Sequence, residues 1–420
     1  RGGGAGMSTV TDVARFAGVL YAQRAATAWQ GYGRRDPMAR LMLRPGRVDP
    51  YAVYEELRVH GPMAPTRLGN WVTTGHAVTS EALRDRRLGV RAPGAPDRSE
   101  GIDLSFLERD PPDHTRLRRL AAPAFTPRRM AAYRTRIEEL THRLVEDAAA
   151  GGTFDLVAAL AAPLPIAVIT DLLGIPDADS ARFARYGTTI GSALDGIRSL
   201  RHARDLMAAQ QALTTLLGDL VVRRRTDPGD DVISHLVAHE GDGIEAAELL
   251  PLVQLLLVAG FETTVNLVGN AVHALLADRE QWELLRADPG LAAAAVEETL
   301  RQDPPVQRTA RVAHAPLDLG GVPVRRGQWV VALIGAANRD PAVHPDPARF
   351  DLLRTPAVEH LAFSAGIHYC VGAPLARLEG EVALATLAAR LDLEPAGRPV
   401  RRPGTTIRGM LRLPVRVRRG

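Results

Sequence analysis

Residues 250–277 read LPLVQLLLVAGFETTVNLVGNAVHALLA, 28 residues with helical spacing and almost no charge. Apolar residues fall on most faces of that helix, so it has to be buried on most sides, and the chain must wrap around it. Pro251 is tolerated because it falls in the first turn. The longest apolar runs, 249–261 and 156–170, are broken by Pro251, Gln254, Pro163 and Pro165. Both are shorter than the roughly 18–20 residues needed to cross a bilayer, so no membrane segment is expected. Further helices are expected over 12–29, 50–60, 113–120, 127–149, 178–186, 200–225, 279–287 and 291–302. Short strands are expected over 63–68, 71–73, 306–312, 321–324, 329–333 and 411–417. The pattern predicts a mainly α (α+β) chain with small sheets. Without repeat or clean linker, it reads as a single domain over 21–420, preceded by a flexible tail over 1–20. Residues 88–107 mix glycine, proline and charge and read as a long loop of the kind that is often functional.

Cys370 is the only cysteine, which rules out an internal disulfide and any four-cysteine zinc or iron–sulfur site. There is no lysine: all 52 basic residues counted with Lys+Arg are arginine, so P-loop and Schiff-base chemistry are excluded. A net charge of +4 over 420 residues, with no basic stripe interleaved with aromatics, gives no reason to expect nucleic acid. The stretch FAGVLYA is too short and too closely flanked by arginine for a signal peptide, so the expected location is cytoplasmic.

The cysteine lies between Gly366 and Gly372, and a helix opens after Ala373-Pro374. Helix N-termini lower a thiol's pKa and favour thiolate, which is a nucleophile or a metal ligand. Glycines beside the sulfur would let a flat macrocycle approach the backbone. The run Phe363-Ser-Ala-Gly366-Ile-His368-Tyr-Cys370-Val-Gly372 resembles the haem-ligand signature of the cytochrome P450 monooxygenases, F-G-x-G-x-H-x-C-x-G. One position departs, with Ser364 where glycine is common. The resemblance covers the chain from about Asp49 to Val417. It implies the P450 fold with its long central helix over haem b, whose iron is ligated by Cys370.

Other motifs follow in the order that this family places them. Ala259-Gly260-Phe261-Glu262-Thr263-Thr264 matches A-G-x-[DE]-T. A threonine hydroxyl can bond the carbonyl four residues back, here from Thr263 to Ala259, and Gly260 would leave space for an oxygen groove. Glu262 and Thr263 form an acid–alcohol pair suited to relaying protons. Glu298 and Arg301 in EETLR match the family's E-x-x-R pair, with Arg349 in Pro347-Ala-Arg-Phe350 as the implied third member of a buried structural network. The resemblance assigns His114, Arg118, Arg311 and His368 to the haem propionates.

The implied reaction inserts one atom of O2 into a hydrophobic small molecule, by hydroxylation or epoxidation. Electrons are expected from a ferredoxin and a ferredoxin reductase using NAD(P)H, with Arg116 and Arg119 as a docking pair for the acidic donor. A peroxide-driven peroxygenase and a non-enzymatic haem sensor share the cysteine loop, but neither needs the Glu262-Thr263 pair. Pocket walls are expected at 88–107, 178–200, 255–259, 306–309 and near Ile407, with few aromatics. Such a pocket suits a polyketide- or macrolide-like secondary metabolite.

Overall fold

A computed structural model of the chain describes residues 10–67, 69–95, 103–176 and 179–418. The central helix spans Ala246–Ala277. It starts earlier than its apolar periodicity indicates because Glu245 and Glu248 close a capping box across its first turn. By length and hydropathy this helix could cross a membrane, which corrects the expectation from the broken apolar runs. However, 78% of its most apolar window is buried inside the protein, so it is a core helix. Over residues 252–272 only Ala259 is exposed and only Val258, Gly260 and Thr263 are half-buried. That strip is the one open face of the helix between its ends.

Helices Pro163–Leu173, Ser180–Gly191, Leu200–Thr226, Ala292–Gln302 and Ala373–Arg390 pack directly on the central helix. The first of these was not expected, since Pro163 and Pro165 read as breakers. Both lie in its opening turn, where no intrahelical N–H is required. Ser180–Gly191, here the roof helix, extends past the expected end at residue 186 to a glycine-flanked connector at 192–199. The cysteine helix, Ala373–Arg390, also packs on Pro127–Ala150.

Gly260 has a packing role that differs from the one expected. A Cβ at this position would lie 2.6 Å from Ile169 Cγ1 on helix Pro163–Leu173, so the missing side chain lets two buried helices approach. Gly260 also sits half-buried on the open strip with Ala259 and Thr263.

A five-stranded sheet lies near the N-terminal side, in the order Met63–Pro65, Trp71–Thr73, Trp329–Ala332, Thr309–Ala313, Leu88–Gly89. Its one parallel pairing aligns Val72 with Val331, and Arg311 sits opposite Val330. Residues 306–308, expected in a strand, make only an isolated bridge from Val306 to Ile407. The final strand is split: Met410–Arg412 pairs with Val400–Arg401, and Pro414–Val417 lies between Thr153–Asp155 and Leu393–Pro395. Residues 10–20, expected in a flexible tail, form the first half of helix Val10–Ala28. Leu68, residues 96–102 of the expected loop and Ala178 lie outside the described residues.

Replacing Gly260 by valine forces a branched side chain into the Ile169 contact. Overpacking of this kind costs roughly 1–3 kcal/mol. The expected outcome is a lower thermal midpoint with the far-UV circular dichroism spectrum unchanged. An unchanged midpoint would remove the packing role.

Candidate functional site

The cysteine loop owes its shape to two residues with positive φ. Gly366 has φ 68°, and a Cβ there would lie 2.6 Å from the Leu83 carbonyl oxygen. Ser364 has φ 61°, so the position where the sequence departs from the common glycine is a left-handed one that a serine occupies at a strain cost. Arg311 Nη2 donates to Ser364 Oγ at 3.4 Å. Cys370 N donates to the Phe363 carbonyl at 2.8 Å, closing the loop. Arg377 on the cysteine helix lies over the Phe363 ring at 4.6 Å, donates to Tyr369 at 3.1 Å, and pairs with Glu297 at 2.7 Å.

Cys370 is reachable by a water-sized probe although protein atoms surround it densely. The thiol therefore faces a space inside the fold and not bulk solvent. Burial raises its pKa, while the N–H groups of Gly372 and Ala373 act in the opposite direction. The expected lowering by the helix N-terminus is present but loses to burial. A coordinated metal deprotonates such a thiol. A Cβ on Gly372 would meet no protein atom within 4 Å, so nothing in the polypeptide occupies the space beside the sulfur.

Four basic side chains from three separate segments, His114 and Arg118 on helix Asp113–Ala121, Arg311 on strand Thr309–Ala313 and His368 in the cysteine loop, converge there. The His114 and His368 ring centroids are 4.3 Å apart. His114 Nδ1 and Nε2 and His368 Nε2 are buried without hydrogen-bond partners. Burial, then Arg311, His114 and Arg118, push the His368 pKa down to about 3. Burial, then Arg118, lower His114, and burial lowers Arg311 to about 10. Arg118 is lowered by burial and feels the Cys370 sulfur. The two arginines therefore weaken the positive charge of both histidines, while burial weakens the arginines, as happens where a shared anionic partner would sit. Haem fits this arrangement. The sulfur would be one ligand, the partnerless ring nitrogens of His114 and His368 together with Arg118 and Arg311 would face two carboxylates, and Gly372 leaves open space beside the loop.

On the central helix, Thr263 Oγ1 donates to the Ala259 carbonyl at 3.3 Å, as the sequence indicates. Ala259 and Thr263 lie at i and i+4 on the open strip. Glu262 does not join them. Its buried carboxylate pairs with Arg402, whose Nη1 also donates to Thr188 Oγ1 at 2.9 Å. Gly187 and Gly191 of the roof helix make room for it, because a Cβ on either would lie 3.0–3.2 Å from a Glu262 oxygen. Burial raises the Glu262 pKa to about 7 despite Arg402, and its Oε2 has no partner. The expected acid–alcohol pair is thus a clamped acid next to, but facing away from, the alcohol. Nothing in the RRPGTT stretch around Arg402 marks this contact in the sequence.

The structural network is confirmed in its core and corrected in its third member. Arg301 binds Glu298 bidentately at 2.7 and 2.8 Å and donates to the Pro347 and Arg349 carbonyls at 2.8 and 2.9 Å. Arg349 contributes only its backbone, and its residue is exposed. The guanidinium that completes the network is that of Arg354, with Nε 3.1 Å from Glu298 Oε1. Sequence reading stopped at Pro347–Phe350, one turn short. It also missed Glu379, a fully buried carboxyl on the cysteine helix with Thr264 as its polar neighbour, which burial keeps protonated. Arg116, expected on a docking surface, is instead tied to Glu248 at 2.8 Å and Asp113 at 2.9 Å, where it holds the Glu248 pKa near about 2. Arg119 is exposed.

The Cytochrome P450 family model matches residues 196–417, more than half of the chain. The chain is 40% identical over 409 residues to a putative cytochrome P450 140 of Mycobacterium tuberculosis, covering 92% of this chain and 93% of that protein. It is 39% identical over 395 residues to the 6-deoxyerythronolide B hydroxylase of Saccharopolyspora erythraea, covering 88% and 96%. A solved structure of P450BioI, in complex with an acyl carrier protein ligated to hexadec-9Z-enoic acid, superposes with a TM-score of 0.83. It is 35% identical, and the match covers 89% of this chain and all of that one. The chain belongs to the cytochrome P450 family and is a P450 monooxygenase. It is a haem-iron protein of the bacterial type.

Truncating one partner of a buried ion pair costs roughly 3–5 kcal/mol. Arg301→Ala should therefore yield protein that fails to retain haem, and Arg354→Ala should lose part of it. Arg349→Ala should retain it fully. The check is the haem-to-protein absorbance ratio after gel filtration, and equal loss in Arg349→Ala and Arg354→Ala would restore the original assignment.

The Glu262 shift gives a pH window. Between 4.5 and about 7 the folded protein holds a proton that the unfolded chain has released, so its stability falls as pH rises through that range. The stability of the parent relative to Glu262→Gln should fall as pH rises through that range in urea titrations, and a relative stability independent of pH would contradict the buried-acid assignment.

Proposed function

We propose that the chain is a haem b monooxygenase that hydroxylates or epoxidises a bulky, mainly aliphatic molecule of polyketide or macrolide type. Its electrons would come from a ferredoxin and a ferredoxin reductase using NAD(P)H, in the cytoplasm. The reading is carried by the open strip of Ala259 and Thr263 on an otherwise buried helix, together with a loop thiol at which four basic side chains converge.

Cys370 would ligate the iron; His114, Arg118, Arg311 and His368 would hold the two carboxylates. Haem, when bound there, supplies the dioxygen-activating chemistry that no side chain in this protein can provide. Thr263 offers its hydroxyl on the open strip, oriented by its bond to the Ala259 carbonyl. Glu262, poised near neutral pH, is the proton source one residue away. It must turn from Arg402 towards Thr263 to serve. A carboxyl tuned in this way is matched to proton transfer at neutral pH, which an oxygen-dependent reaction needs and a peroxide-driven one does not.

The substrate class is supported by the similarity to the 6-deoxyerythronolide B hydroxylase. It is also supported by the aliphatic walls at Val306 and Ile407, which bridge to each other. The docking surface for a ferredoxin would have to be built around Arg119 and its neighbours, since Arg116 is engaged.

Thr263→Ala should keep the haem spectrum and the rate of NAD(P)H consumption within about tenfold but lose most product, the electrons leaving as reduced oxygen. Cys370→Ser should lose the thiolate-type carbon monoxide spectrum altogether. Turnover driven as well by hydrogen peroxide as by the ferredoxin system, and insensitive to Thr263→Ala, would replace the monooxygenase reading by the peroxygenase one.

A further inference from the structure

Residues 13–48 carry seven arginines, at 15, 24, 34, 35, 40, 44 and 47, against a single acid. That acid, Asp36, is buried and caps the helix Pro37–Met42 by accepting from Ala39 N at 2.7 Å. The local excess of six positive charges exceeds the net +4 of the whole chain, so the remainder is slightly negative. Among the described residues, Arg40 is the one of these arginines that forms an ion pair, with Glu56 on the next helix. The same segment exposes Val19, Tyr21, Trp29, Tyr32 and Met42, with Trp29 63% exposed. Arginine, tryptophan and tyrosine together are the residues most enriched at the centres of protein–protein interfaces.

This arm leans on the roof of the pocket. Arg24 Nη1 donates to the carbonyl of Arg198, in the connector that follows the roof helix. Arg24 and Arg47 both weaken the charge of Arg198, so the three guanidinium groups sit in one another's field. The acid of that connector, Asp195, is already used: it accepts from Thr405 N at 2.9 Å, Thr406 N at 2.8 Å and Arg308 Nη2 at 3.4 Å. Those bonds hold the connector against the turn that carries Ile407, one of the expected pocket walls. None of the hydrogen bonds anchoring the arm reaches the Cys370 loop.

We propose that residues 13–48 and the connector at 192–199 form a docking surface for an acidic carrier protein that presents the substrate tethered as an acyl thioester. The proposal rests on the monooxygenase reading above and adds to it the form in which the substrate arrives. Charge complementarity selects an acidic partner. Position selects a substrate carrier over an electron donor, because the surface contacts the connector after the roof helix, which is fastened to the turn bearing Ile407, and its described hydrogen bonds do not reach the thiolate loop. A protein fits better than a membrane surface: the apolar residues of helix Val10–Ala28 are scattered around its axis, whereas helices that lie in lipid gather them on one face.

The test uses the haem-loaded enzyme and a fluorescently labelled bacterial acyl carrier protein bearing a hexadecanoyl group. Anisotropy reads docking without involving the haem, and the Soret band reads entry of the acyl chain. The carrier should bind at low salt and weaken by about tenfold or more when salt rises to a few hundred millimolar. R24E/R198E should abolish docking. R34E/R44E, which leaves the Arg24–Arg198 contact in place, should weaken it by about tenfold. Free hexadecanoic acid should shift the Soret band of all three proteins alike. Equal binding of the carrier by parent and variants, or no binding by any, would overturn the proposal. Binding to vesicles rich in phosphatidylglycerol in place of the carrier would also overturn it, in favour of a membrane surface. Loss of the thiolate-type spectrum with carrier docking intact would instead indict the monooxygenase reading.

Discussion

Two arginines and two histidines share one interior compartment with a buried thiol, and that arrangement sets the terms for the rest of the structure. Cationic groups in a poorly hydrated interior repel one another and lose hydration, so each is driven toward its neutral form. His114 and His368 are lowered by burial first and by their basic neighbours second, and Arg311 is weakened by burial against the pull of Asp110. Such a cluster is costly unless an anionic group offsets it, and the two carboxylates of a bound haem would supply that charge. The framework around the compartment therefore has to be rigid enough to hold four side chains from distant segments in register.

That rigidity comes from apolar packing and a few saturated ion pairs. The central helix is buried on every side but one strip, and Gly260 lets Pro163–Leu173 come close enough to support it. Behind the cysteine loop, Glu298 receives Arg301, Arg354 and the Asp351 N–H, which accounts for most of its acceptor sites. Its satisfied lone pairs are what make a buried carboxylate tolerable there. Glu262 differs from it: one oxygen lacks a partner, its pKa is near neutrality, and two glycines of the roof helix define its pocket. A fully paired carboxylate holds structure, and a half-paired one is able to change state.

Roof, turn and arm are also coupled by charge. Asp195 fastens the connector to the Thr405–Thr406 turn, Arg402 of the same turn holds Glu262, and Arg24 reaches the connector from outside. A displacement of the roof helix would therefore be felt at Glu262 through Thr188 and the glycine notch.

Much of this was legible in the sequence because it depends on local chemistry. The central helix, the cysteine loop with its following helix, the Thr263 back-bond and the Glu298–Arg301 pair all lie within spans where spacing fixes geometry. What the sequence could not reveal depends on separations of tens to hundreds of residues. Arg402 meets Glu262 across 140 positions, and Arg354 meets Glu298 across 56. The side to which Gly260 opens depends on where Ile169 lies. The direction of the Cys370 pKa depends on a balance of burial against two N–H groups, and only the packed structure sets how much water the sulfur loses. Sequence alone determined the family, the haem-iron cofactor class and the reaction class, since a short loop and a helix motif encode them. Tertiary structure alone decided which charges are paired and which are left available, because pairing is a matter of distance in space, and distance along the chain does not fix it.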